Sequence, residues 1–97
     1  MAIRFEWDRT KAASNLAKHG VSFELAQEAF KDPQAIVEID DRRDYGEERL
    51  LRTAMVGVRY LHVIYTERAD RRSGEEIIRI ISARKATPHE RRTYHEA

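Results

Sequence analysis

The segment Ile77-Ile-Arg-Ile-Ile81 limits the fold of this chain more than any other stretch. Its β-branched residues favour a strand, in which alternate side chains point to opposite faces. Ile78 and Ile80 lie on one face, and Ile77 and Ile81 share the other with Arg79. A strand that is apolar on both faces is central in its sheet or covered on both sides. The rest of the chain must therefore supply both neighbouring strands and helices to cover them. Arg79, on an otherwise apolar face, requires a partner because a lone buried charge is costly. Glu67 or another carboxylate is the expected partner, and an anion site at the sheet edge is the functional alternative.

The remaining elements follow from punctuation and period. Residues 3–7 alternate apolar and charged side chains, as in a short half-buried strand. Asp8 is placed to cap a helix over Arg9–His19 with an apolar stripe of Ala12, Ala13, Leu16 and Ala17; Gly20 ends it in the left-handed conformation. Ser22 caps a second helix carrying Leu25, Ala26, Ala29 and Phe30. Asp32-Pro33 terminates that helix, because proline disfavours the helical region for the residue before it. Strands are expected at residues 35–40, 50–58, 61–67 and 76–82, with a tight hairpin at 57–60 and an exposed loop at 68–74. Thr87, Pro88 and Glu90 form a capping box for a final helix. Its apolar stripe is poor, with Tyr94 as the one large anchor, so its charged face is available to a partner. The order β, α, α, four-strand meander, α predicts an α+β sandwich with helices packed on an antiparallel sheet of four to five strands.

Composition narrows the function. At 97 residues the chain has room for one domain, residues 1–97, and 41% hydrophobic residues suffice for one small core. No apolar run approaches the roughly 18 residues of a membrane span, and the N-terminus lacks the apolar region of a secretory signal. The chain has no cysteine, which excludes disulfides, thiolate nucleophiles and cysteine-bound zinc and favours a cytoplasmic setting. Walker, dinucleotide and nucleophile-elbow motifs are absent. His19, His62, His89 and His95 lack metalloprotease spacing. Asp40, Asp41 and Asp44 are interleaved with Arg42 and Arg43, so residues 40–49 read as one solvated connection. Neither a metal nor a cofactor is expected.

The net charge of +1 conceals an asymmetry. Residues 1–48 carry 7 basic and 11 acidic side chains, whereas residues 49–97 carry 11 and 6. A basic C-terminal half points to a polyanion or an acidic protein segment as partner. Arginine makes up 14 of the 18 basic residues, and its planar fork suits phosphate and carboxylate. Arg79, Arg84, Lys85, Arg91 and Arg92 cluster around the last strand and helix, interrupted only by Glu90. Arg84 and Lys85 precede a helix N-terminus, which adds to a phosphate site. Lys18-His19-Gly20 is either a cationic helix end or the place of a proton shuttle. Tyr65 and Tyr94 are either core residues or groups for base stacking and proton transfer.

Five blocks carry a family resemblance in order along almost the whole chain. They are Phe5-Glu-Trp-Asp8 with Lys11, Asn15 and Lys18-His-Gly-Val-Ser-Phe-Glu24; Glu48-Arg49; Val63-Ile-Tyr-Thr-Glu-Arg68; Ile78-Arg-Ile-Ile-Ser-Ala-Arg84; and Glu90-Arg-Arg-Thr-Tyr94. Together they resemble the BrnT toxins. The resemblance implies a RelE-like α+β fold and a ribonuclease of a type II toxin–antitoxin system that inhibits translation by metal-independent RNA cleavage. It implies a BrnA-type antitoxin as partner, with DNA reached only through the complex.

Such cleavage needs a group to activate a 2′-hydroxyl, cations to stabilise the phosphorane, and a proton donor to the leaving oxygen. Arg79 and Arg84 are the candidate phosphate contacts, and His19 and Tyr65 the candidate proton-transfer groups. Lys18, Arg49, Lys85, Arg91 and Tyr94 are candidate substrate contacts. The alternative is a non-catalytic basic module that binds an acidic protein segment or nucleic acid.

Overall fold

The computed structural model describes residues 2–41 and 46–97. Helix α1 (Arg9–His19) begins where the Asp8 carboxylate accepts the Lys11 backbone N–H at 3.0 Å. It ends at Gly20, whose φ of 70° lets its N–H reach the Leu16 carbonyl at 2.8 Å. Helix α2 (Phe23–Gln27) is capped by Ser22 Oγ and tightens into a 3-10 turn over Glu28–Lys31. The chain leaves that turn at Asp32 in an extended conformation, as the following proline requires. Helix α3 (Pro88–Glu96) starts on the complete Thr87–Glu90 capping box. Among the described residues, no helix is long and apolar enough to cross a membrane.

The strands are β1 (Ile3–Glu6), β2 (Ile36–Asp40), β3 (Arg49–Val56), β4 (Arg59–Ala69) and β5 (Glu76–Lys85), in the sheet order β1-β5-β4-β3-β2. The four later strands form the expected antiparallel meander. β1 departs from the expected all-antiparallel sheet by pairing with β5 in parallel. A short alternating strand separated from its neighbour by most of the chain carries no signal of direction, so the sheet is mixed. β3 and β4 are joined by the two residues Gly57 and Val58, with Gly57 at φ 62°, the position that needs glycine in this tight turn. Of the expected exposed connection at 40–49, Asp40 is buried at the end of β2, Gly46–Glu48 are exposed, and residues 42–45 lie outside the described residues.

Ala54, Leu61, Val63, Tyr65, Ile78, Ile80 and Ala83 form the sheet side of the core, against Val21, Phe23, Ala26 and Ala29. Edge-to-face aromatic contacts link Phe5 to Phe30, Phe30 to Tyr65, and Trp7 to Phe23. One irregularity decides which side chains face this core. The β4–β5 register passes from Ile64↔Ser82 to Tyr65↔Ile80, which leaves Ile81 as an extra residue in β5. The bulge shifts the alternation, so the core residue after Ile80 is Ala83. Arg84 is thereby placed on the opposite face.

The expectation that Arg79 is buried and paired with Glu67 or another carboxylate is corrected in its burial and in Glu67, while the Arg79 charge does act on the Asp8 carboxylate. Arg79 is exposed beside Thr66 and Glu6, and Glu67 opposes Ile78 instead. Solvent at that end of the sheet removes the need for a buried partner. The expectation that β5 is central holds, with β1 on one side and β4 on the other and with Ile77, Ile78 and Ile80 buried.

β1 pairs with β5 only along Glu76–Arg79, so the rest of that edge has no strand neighbour. Asn15 of α1 occupies the gap. Its buried amide donates to the carbonyls of Ala83 (2.7 Å) and Val21 (2.9 Å), and its Oδ1 accepts the Ala83 N–H (3.1 Å). The side chain thus replaces a strand at one residue of the edge. Replacing Asn15 by Ala would leave the Ala83 N–H, the Ala83 carbonyl and the Val21 carbonyl without this partner, at an expected cost of roughly 2–4 kcal/mol. Urea denaturation of Asn15→Ala measures this; a loss under about 0.5 kcal/mol, within the range of ordinary surface substitutions, would contradict the role.

Candidate active site

The bulge in β5 sends consecutive cations to different places. Arg84 joins a transverse row, Ile36–Thr53–His62–Arg84, on the sheet face away from the core. Helix α3 lays Glu90 onto that row. The Arg84 guanidinium donates to both Glu90 oxygens, at 2.8 and 2.9 Å, so its fork is engaged within the protein. His62, only 7% exposed, has Nδ1 at 3.4 Å from Glu90 Oε2 and 3.1 Å from Thr53 Oγ1. Burial pushes the Glu90 carboxyl up, but the Arg84 hydrogen bonds, the Thr87 N–H and the neighbouring His62 and Arg84 charges outweigh it, lowering its pKa from the ordinary 4.5 to about 2.

Lys85 goes the other way, into a cleft of about 580 Å³ where the end of α1, the β3–β4 hairpin and the start of α3 meet. Among the described residues, His19, Arg59, Tyr60, Lys85 and Arg91 are its ionisable lining residues, and no carboxylate is among them. Among the described residues, none of the four lining residues His19, Arg59, Lys85 and Arg91 makes an ion pair. The Arg91 guanidinium lies 4.5 Å from the centre of the Tyr60 ring. The Tyr60 hydroxyl is hydrogen-bonded to His95 Nε2 at 2.6 Å. The His19 imidazole, the Tyr60 phenol and three cations therefore line one open space, with His95 joined to it through Tyr60.

The structure brings three of the sequence candidates, His19, Lys85 and Arg91, into this cleft. Lys18 lines an adjoining depression that also contains His19. The others lie elsewhere. Tyr65 is 1% exposed in the core against Phe30, and burial pushes its phenol up, so it presents no group to a substrate. Arg79 is six residues before Lys85 on β5, about 20 Å at ~3.3 Å per residue. Arg49 is at the opposite end of β3 from the hairpin that borders the cleft. Tyr94 donates to Asp32 Oδ2 at 2.8 Å, and that same oxygen accepts the Met55 N–H, also at 2.8 Å. Tyr94 thus anchors α3.

Arg59, Tyr60 and His95 were not singled out from the sequence. Tyr60 follows a hairpin turn and reads as part of it, and its bond to His95 spans 35 residues. A histidine one position after the anchoring Tyr94 is the one local hint. Among the described residues, no group of three or more His, Asp or Glu side chains is placed to hold a metal ion.

A cleft lined by cations, an imidazole and a phenol has the chemistry of proteins that handle polyanions. The sequence specifies which: the model of the family "Ribonuclease toxin, BrnT, of type II toxin-antitoxin system" matches residues 7–90, and the chain belongs to that family. The chain is accordingly a ribonuclease toxin, and a type II system implies a protein antitoxin as its partner. No match was found among curated proteins.

The Glu90 contacts give a pH prediction. A carboxyl whose folded-state pKa is lowered contributes stability that is fully present above its unfolded value and is lost as pH falls through the folded value. For Glu90 the window runs from 4.5 down to about 2. Glu90→Gln is expected to unfold more easily than the parent at pH 7, by roughly 1–3 kcal/mol. The gap should narrow as pH falls below 4.5 and the parent loses the contribution. Denaturation midpoints at pH 7 and pH 3 measure it; an undiminished gap at pH 3 would contradict the assignment.

Proposed function

We propose that RNA is cleaved at the cleft lined by His19, Tyr60, Lys85 and Arg91, by attack of a ribose 2′-hydroxyl on the adjacent phosphate. The bond from the 2′-oxygen to phosphorus forms and the bond from phosphorus to the 5′-oxygen breaks. The products are a 2′,3′-cyclic phosphate and a free 5′-hydroxyl. Two protons move: one leaves the attacking hydroxyl and one reaches the departing oxygen. His19 and the Tyr60–His95 pair, supplied by different elements, are the two proton-transfer groups. Lys85, Arg59 and Arg91 stabilise the charge that develops on the phosphorane oxygens. Arg84 acts as a positioning residue, holding Glu90 and with it α3.

The observation that carries this reading is the composition of the cleft: cations and proton-transfer groups without a carboxylate. The same lining supports metal-independent cleavage, because guanidinium and ammonium groups repel a divalent cation that carboxylates would hold. Cleavage of messages in the cytoplasm would stop translation. A BrnA-type antitoxin would neutralise the toxin, and DNA contacts would come from the antitoxin in the complex.

Purified protein and a fluorogenic RNA test the assignment in the presence of a chelator. His19→Ala is expected to lower kcat/KM by about 10²–10⁴-fold. Lys85→Ala and Arg91→Ala should each lower it by about 10²-fold. Arg71→Ala, in the exposed turn before β5, should leave it unchanged. Full activity in His19→Ala and Lys85→Ala together with loss in Arg79→Ala would move the site to the other end of the sheet. Absence of turnover with retained RNA binding would favour the non-catalytic module.

A further inference from the structure

The cleft does not end at His19. That residue also lines a second depression, of about 240 Å³, between α1 and the strand-free edge of β5. Its floor is Asn15 and Ile81, and its rim carries Lys11, Lys18, Ser14 and Ser82. Lys11 and Lys18 are seven residues apart, so they lie on one face of α1, about 10.5 Å apart along its axis at ~1.5 Å per residue. Ser14 lies between them on the same face. Among the described residues, no acidic side chain lines this depression. The Asp8 carboxylate, one turn before Lys11, is turned to the helix N-terminus, where it accepts the Lys11 backbone N–H. Neither lysine makes an ion pair among the described residues. At the other end of the cleft, Arg91 borders a depression that includes Glu96, whereas the described lining on the α1 side carries no acid.

We propose that this depression is an extended binding subsite for single-stranded RNA, in which Lys11 and Lys18 hold backbone phosphates beyond the one at His19. The inference rests on the cleft being the site of cleavage, and adds that the preferred substrate is an oligonucleotide spanning both depressions. His19 then sits at the junction of two subsites. The Ser14 hydroxyl on the rim can donate a hydrogen bond to a phosphate or exchange one with a 2′-hydroxyl, while the Ser82 hydroxyl donates to Asn15 Oδ1 at 3.4 Å and is left as an acceptor. Paired strands fit this arrangement poorly, because a track along one helix face beside a sheet edge follows a single backbone.

The test compares a dinucleotide with a single-stranded hexanucleotide as substrates of the full chain and of a Lys11→Ala/Lys18→Ala variant. The parent is expected to favour the hexanucleotide in kcat/KM by at least tenfold, chiefly through KM. The double variant should lose most of that preference. Its binding to a cleavage-resistant 2′-O-methyl hexanucleotide should depend less steeply on salt, with the slope of log K against log salt reduced by about 1.4, at ~0.7 for each phosphate contact in a single strand. Equal kcat/KM for the two lengths in the parent, or a length preference and salt slope unchanged in the double variant, would overturn the subsite. Undiminished cleavage of both substrates by His19→Ala would instead overturn the placement of the reaction itself, so the two failures are distinguishable.

Discussion

The side-chain amide of Asn15 holds the molecule together where α1, the turn after it and β5 meet. β1 is too short to cover the whole edge of β5, and a bare edge exposes unpaired N–H and C=O groups. Asn15 satisfies both groups of Ala83 across 68 residues of sequence and ties in Val21 beyond the end of α1. One buried polar side chain therefore fixes the end of a helix, the turn after it and the last strand relative to one another. His19 and Gly20 lie on that helix end, and Lys85 lies two residues past Ala83. Bonds to one rigid side chain set the spacing between them more tightly than apolar contacts, which tolerate sliding.

The polar character of α3 has a similar explanation. None of its residues is buried, so packing alone would hold it weakly. It is fixed by directed contacts: Glu90 to Arg84 and Thr87, Tyr94 to Asp32, and His95 to Tyr60. These bonds leave Arg91 facing the cleft and the Tyr60–His95 pair beside it. The basic excess of the C-terminal half is thus divided. Arg84 is neutralised inside the structure, while Lys85 and Arg91 remain open beside Arg59. The division follows from a single extra residue, Ile81, in the β4–β5 ladder.

Helix boundaries were legible because capping chemistry is local. Asp8, Ser22, Thr87 with Glu90, and Gly20 each announced an end that the structure places there. The meander was legible from alternation and turn residues. The parallel pairing of β1 was not, since strand direction is decided by the whole topology. The surroundings of Arg79 and Tyr65 were not legible, because alternation gives the two sides of a strand without saying which side a helix covers or which end meets solvent. The bulge could not be read because Ile81 looks like any other strand residue. At the site, His19, Lys85 and Arg91 were visible as chemistry, and their meeting was not. Tyr60 and His95 were hidden because their relation exists only in the folded chain.

On the proposed reading, RNA is engaged where α1, the β3–β4 hairpin and α3 converge. The most direct measurement is a backbone and side-chain chemical-shift titration of the isotopically labelled protein with a 2′-O-methyl oligoribonucleotide that binds without being cleaved. The resonances of His19, Tyr60, Lys85 and Arg91 are expected to move together and saturate with one affinity, while those of Arg49 and Arg79 stay in place. Saturable shifts centred on Arg49 and Arg79, with the His19 and Tyr60 signals unmoved, would contradict it.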